Sequence, residues 1–87
     1  MEKRRMRIQE WTEFKKYLEE KERSAGTIEK YLRDVRHFFS WLGRREVTKE
    51  RTIEWRNELL KRGYAPVTVN SMIAAINSYF YFVGWIE

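Results

Sequence analysis

Between Ser24 and Leu42 the apolar residues Ile28, Tyr31, Leu32, Val35, Phe38, Phe39 and Leu42 recur at spacings of three and four. That places all seven on one stripe of a helix. The positions between them carry Lys30, Arg33, Arg36 and His37, so the opposite face is polar and mostly cationic. Ser24 stands where an N-cap can accept a bond from a free first-turn amide. Gly43 follows as a residue suited to a left-handed C-cap. This second helix has an apolar side that must be covered, and the rest of the chain reads as its cover.

Three more helices follow from the same reasoning. Ile8, Trp11, Phe14, Tyr17 and Leu18 recur at helical spacing with Lys and Glu between them, predicting a first amphipathic helix from Ile8 to about Glu22. Residues 1–7 read as a loose basic lead-in. Thr48 can cap a third helix whose stripe, Ile53, Trp55, Leu59 and Leu60, is weaker. Lys61 and Arg62 suit its last turn, where cations meet the negative end of the dipole, and Gly63 stops it. Pro66 falls in the first turn of a fourth helix, where a missing N–H does no harm. Val69, Met72, Ile73, Ile76, Phe80 and Val83 form its predicted core stripe, and Gly84 ends it. Nothing alternates with period two, and no linker is long enough to divide the chain. The pattern therefore predicts an all-α, compact four-helix bundle in a single domain over residues 1–87.

Charge adds a second layer. The 87 residues carry a formal charge of +5, which fits a polyanionic partner, nucleic acid first. The distribution matters more than the total. Residues 24–45 hold five basic and two acidic side chains, while Gly63 to Ile86 hold none of either sign. A helix without charge usually faces another surface. No apolar run approaches the ~20 residues of a membrane span, so no membrane partner is expected. The basic N-terminus has no apolar segment after it and does not read as a signal peptide. The absence of cysteine excludes a disulfide framework and a thiolate metal site, and permits the reducing, cytoplasmic setting expected for this chain.

Catalytic chemistry has little to stand on. One His and no Cys cannot supply a zinc set, no Gly-rich phosphate loop follows a strand, and no cofactor is expected. His37 reads as a solvated or phosphate-facing imidazole, and the carboxylates as solubilising partners of Lys and Arg. Two stretches offer more than scaffold. At the start of the second helix, Thr27, Lys30 and Arg33 face away from the core. At the start of the fourth stand Thr68, Asn70 and Ser71, short donors and acceptors able to reach phosphates or base edges. Free amides at a helix start also favour an anion. Caps and local hydrogen bonds remain the alternative account of both groups.

The pattern Ser24-x-x-Thr27-x-x-x-Tyr31-x-x-Asp34-x-x-x-Phe38-x-x-Trp41-Leu42 resembles the second helix of the core-binding domain of tyrosine recombinases (phage integrases). Leu60-x-x-Gly63-x-x-Pro66-x-Thr68-Val69-Asn70-x-x-Ile73-x-Ala75-Ile76-x-x-x-Phe80 is similar to that domain's last helix and the turn before it. The resemblance spans about Trp11 to Val83. It implies a SAM-like four-helix bundle that clamps one face of double-stranded DNA, opposite a separate catalytic domain. The implied DNA contacts are Ser24, Thr27, Lys30 and Arg33 from the second helix, and Val67, Thr68, Asn70 and Ser71 from the fourth. Glu29 falls among them, and the fourth helix offers no Lys or Arg. Its contacts are thus expected from uncharged side chains, backbone amides or water.

The family's catalytic set is an Arg, a Lys, a His-x-x-Arg pair, a second His or Trp and a Tyr nucleophile, and it belongs to the following domain. No match to it is found here, so the chain reads as the DNA-binding portion of a longer recombinase rather than as an enzyme. Lys30, Arg33, Arg36, Arg44 and Arg45 are expected to neutralise phosphates. The catalytic domain and neighbouring protomers are further expected partners. For these, the terminal aromatic group Tyr79, Tyr81, Phe82 and Trp85 offers a docking surface, some of it packing on the first helix; the alternative account is that a small bundle needs all of them for its own packing. The competing reading is a helical protein–protein interaction module docking through the uncharged fourth helix.

Overall fold

A computed structural model of the protein describes the chain from residue 8 to residue 84, and its side chains from residue 11. The lead-in expected over residues 1–7, the side chain of Ile8, and Trp85 lie outside the described residues. Among the described residues four α-helices follow one another: α1 (Ile8–Glu20), α2 (Ala25–Leu42), α3 (Lys49–Lys61) and α4 (Pro66–Val83). No strand occurs among the described residues, and the all-α class read from the apolar periodicity is the class observed.

The helix ends follow local chemistry. Ser24 Oγ accepts from the Thr27 backbone N–H at 3.2 Å, and Thr48 Oγ1 accepts from the Arg51 N–H at 3.2 Å. Pro66 opens α4 in its first turn. Helix α1 stops two residues before the expected Glu22, because Glu22 itself turns left-handed at φ 58°. The N–H of Arg23 then reaches Leu18 O and that of Glu22 reaches Glu19 O, the two-bond closure known as a Schellman motif. The same closure ends α3, where Tyr64 N–H reaches Leu59 O and Gly63 N–H reaches Leu60 O. Gly84 takes the left-handed C-cap conformation, whereas Gly43 does not. Its φ of 64° with ψ of −126° lies in a region that glycine reaches without steric penalty.

The core is arranged differently from the expected one, in which α2 was the centre. Helix α4 packs against all three other helices, and its pairing with α2 is the most extensive in the molecule. Its buried residues are Val69, Met72, Ala75, Ile76, Tyr79 and Phe80. Tyr79 is therefore a core residue and not part of a docking surface, since its ring meets Phe14 edge-on at 5.1 Å and Phe39 at 5.6 Å. Phe82 packs on α1 against Phe14 and Tyr17. Ile73 and Val83, expected in the stripe, are only partly buried.

Helix α3 is held through one large anchor. Of its four expected apolar positions, Trp55 and Leu59 are buried, while Ile53 and Leu60 remain 51% and 39% exposed. The Trp55 indole lies against Phe38, Trp41 and the imidazole of His37, with the Arg62 guanidinium 5.4 Å from its centre. His37 is accordingly a half-buried packing partner, its ring edge-on to Trp55 at 5.0 Å, and not the solvated imidazole its polar neighbours suggested. The buried Trp55 Nε1 has no hydrogen-bond partner among the described residues. That costs about 1–3 kcal/mol, against about 4–6 kcal/mol from burying an indole.

Candidate nucleic-acid interface

Successive residues of an α-helix step by about 100°, so Thr27, Lys30 and Arg33 fan out over an arc of about 120°. Their surroundings differ accordingly. Thr27 is half-buried beside Ser24, whose hydroxyl donates to Thr27 Oγ1 at 2.9 Å. Both residues are thus joined in the cap of α2. Lys30 is half-buried too, and its ammonium donates to Asp34 Oδ2 one turn on. Asp34 is the buried charged residue of the core region, 4% exposed. Lys30 serves first as the counter-ion of that carboxylate.

Arg33 has no such partner among the described residues and is exposed. With Glu29, Leu32 and Arg36 it lines a shallow open depression on the outer face of α2. The Arg36 guanidinium lies 5.1 Å from the Trp11 ring centre, so α1 supplies a wall that steers it, at a modest energy typical of an exposed cation over an aromatic face. Arg44 is exposed beyond the helix end. Arg45 is engaged within the fold: it donates to Leu42 O at 3.0 Å and Trp41 O at 2.8 Å and stacks on Trp41 at 4.3 Å. Of the five cations expected at phosphates, Arg33, Arg36 and Arg44 are the ones without an ion pair or a capping bond among the described residues.

The start of α4 is built otherwise. Ala65 is its N-cap and among the described residues no side chain makes a capping hydrogen bond there, so Thr68 and Asn70 do not cap this helix. Val67, Thr68 and Asn70 are exposed and Ser71 is half-buried. No hydrogen bond or ion pair among the described residues joins this group to Ser24, Thr27, Lys30 and Arg33. The two groups are related through the core, where Phe38 meets Phe80 at 6.0 Å and Phe39 meets Tyr79.

One feature of α4 escaped the expected stripe. Val67, Asn70, Ala74, Asn77 and Tyr81 are all exposed, and their spacing of three, four, three and four confines them to an arc of about 80°. They form a continuous, uncharged strip about 21 Å long on the outer side of the helix. The signal was present in the spacing, but the apolar residues surrounding it give no contrast between inner and outer faces. Tyr81 is what remains of the expected aromatic docking surface among the described residues.

Among the described residues no group of three or more His, Asp or Glu side chains is placed to hold a metal ion. No helix there is long and apolar enough to cross a membrane. Residues 11–85 fit the family model described as phage integrase, N-terminal SAM-like domain. No curated protein and no solved structure matches the chain.

Proposed function

Since this chain belongs to the phage integrase N-terminal SAM-like domain family, we propose that it grips duplex DNA through the outer faces of α2 and α4. In doing so it holds a tyrosine recombinase on its site. The domain is the N-terminal SAM-like part of integrases and not their catalytic domain. Strand transfer is therefore assigned to a separate catalytic domain, which together with neighbouring protomers on the DNA completes the set of partners. Residues 1–87 form one DNA-binding domain in this reading, with the basic residues 1–7 as its lead-in, acting in the cytoplasm where the DNA is.

The observation that carries the proposal is the family match over nearly the whole chain. The contact surface follows from chemistry. Arg33, seconded by Arg36 and Arg44, supplies the phosphate contacts and the salt-dependent share of the affinity. Lys30 contributes less, because its charge already faces Asp34. Ser24 and Thr27 present hydroxyls and the α2 helix start to the backbone. Val67, Thr68, Asn70 and Ser71 face the groove without charge.

The test is a fluorescence-anisotropy titration of a labelled duplex of about 20 base pairs at rising salt, repeated with Arg33→Ala and Arg36→Ala. Each substitution is expected to weaken binding to any duplex and to lower the slope of log K against log salt by about one. Unchanged affinity in both variants at low salt would exclude the outer face of α2. No binding by the unaltered chain, together with salt-independent association with another protein, would favour the interaction-module reading instead.

A further inference from the structure

The exposed strip of α4 has a chemistry of its own, and we infer that its first two residues, Val67 and Asn70, read an A·T base pair in the major groove. The inference rests on the DNA-binding reading above and deepens it. Phosphate rails carry one negative charge per about 1.7 Å of duplex axis, and a surface meeting them uses cations or donors. Between Gly63 and Ile86 there is no cation at all. Pressed on a phosphate rail the strip's apolar members, Val67 and Ala74, would find no complement, whereas the floor of the major groove presents uncharged partners of two kinds. One is the thymine C5-methyl, the apolar group among the major-groove edges of the bases, and the other is the set of base donors and acceptors.

The strip carries one residue for each. Val67, at 76% exposure, is the most exposed of the large apolar side chains among the described residues. It stands in the first turn of α4, where no side chain among the described residues makes a capping hydrogen bond. Asn70 lies one turn on and is exposed, and its amide can pair with adenine N6 and N7 through two hydrogen bonds. Adenine and thymine methyl edges occur together in the same base pair or in adjacent ones. Residues three apart on a helix are neighbours at about 5–6 Å, which suits one step of the groove floor. Ala74, next along the strip, has a small side chain and lets the backbone approach.

A protein partner would find less here. Stable interfaces bury about 800 Å² per side around large aromatic or Arg anchors. The strip offers one such anchor, Tyr81, at the end opposite Val67, with two Asn and one Ala between.

The test begins with selection of duplexes from a pool randomised over its central positions, using the 87-residue chain. The best duplex is then remade with deoxyuridine replacing thymine, one position at a time, which deletes only the methyl group. The unaltered protein is expected to lose about fourfold in affinity at one such position, the worth of one buried methyl. Val67→Ala is expected to bind the thymine and deoxyuridine duplexes equally, and Asn70→Ala to lose its preference for adenine at the same or the adjacent pair. Both positions are exposed, so equal melting temperatures confirm that the fold is intact.

Binding to the selected duplex with no deoxyuridine effect, or with an effect unchanged in Val67→Ala, overturns the inference and leaves the DNA-binding reading standing. Failure to select or bind any duplex overturns both. Loss of self-association in Ala74→Arg with base preference unchanged would assign the strip to a second copy of the chain, and would likewise overturn the inference.

Discussion

At the scale of single residues, two positions show how a side chain's meaning depends on its neighbours. Lys30 and Asp34 are four apart on α2, a pairing worth only a few tenths of a kcal/mol on an exposed helix. Here the carboxylate is buried, so removing the lysine leaves a charge without its partner. Lys30→Ala is expected to lower stability by about 1–3 kcal/mol in urea denaturation, and Asp34→Asn in the same chain to restore part of it. Its effect on the salt dependence of DNA binding should be smaller than that of Arg33→Ala. Glu22 presents the opposite case. It holds a left-handed φ of 58°, which an L side chain adopts at a steric cost, at the position where α3 has Gly63. Glu22→Gly should therefore raise stability by about 0.5–1 kcal/mol, read as a shifted denaturation midpoint.

At the scale of elements, α4 divides its two tyrosines, Tyr79 and Tyr81, between inside and outside. Tyr79 is fully buried between Phe14 and Phe39, and Tyr79→Ala is expected to cost about 3–5 kcal/mol. Tyr81, 65% exposed on the outer strip, should change stability by less than about 0.5 kcal/mol when truncated. Thermal melts of the two variants side by side check the assignment of faces. Thr48→Ala, which removes the side-chain acceptor at the start of α3, is expected to cost about 1 kcal/mol. The caps of α2 and α3 were legible because a cap is a bond between residues three apart in sequence. The two faces of α4 were not, because an uncharged helix carries no polar stripe to mark its solvent side. Position in the bundle sorts Tyr79 from Tyr81 and leaves Ile73 and Val83 at the margin.

Over the whole molecule, the division of charge is also a division of labour. The cations of α2 and the turn after it lie outside the core, while α4 meets α1, α2 and α3 and carries its uncharged strip outward. Helix α3 depends on Trp55, whose ring touches α2 through His37, Phe38 and Trp41. Trp55→Ala should cost about 3–5 kcal/mol, a large part of the ~4–13 kcal/mol expected for a domain of this length. Trp55→Phe should cost less than about 2 kcal/mol, since it keeps most of the apolar contact and removes an N–H that has no acceptor. Chemical denaturation of the pair separates the packing of the ring from the burden of its polar atom.

Helix number, the caps at Ser24 and Thr48, Pro66 at a helix start and the cationic outer side of α2 were all readable along the chain. Each depends on residues within one or two turns of one another, where spacing and side-chain chemistry suffice. Arg33 was legible as an outward-facing position for the same reason, and Thr68 and Asn70 as polar candidates at a helix start, whereas Val67 was named by the family resemblance alone. Burial of Asp34, the seating of His37 on Trp55 and the emergence of the strip from Val67 to Tyr81 were not. These follow from which helix lies against which, and that is set by the joint burial of apolar side chains distant in sequence, to which no local spacing refers.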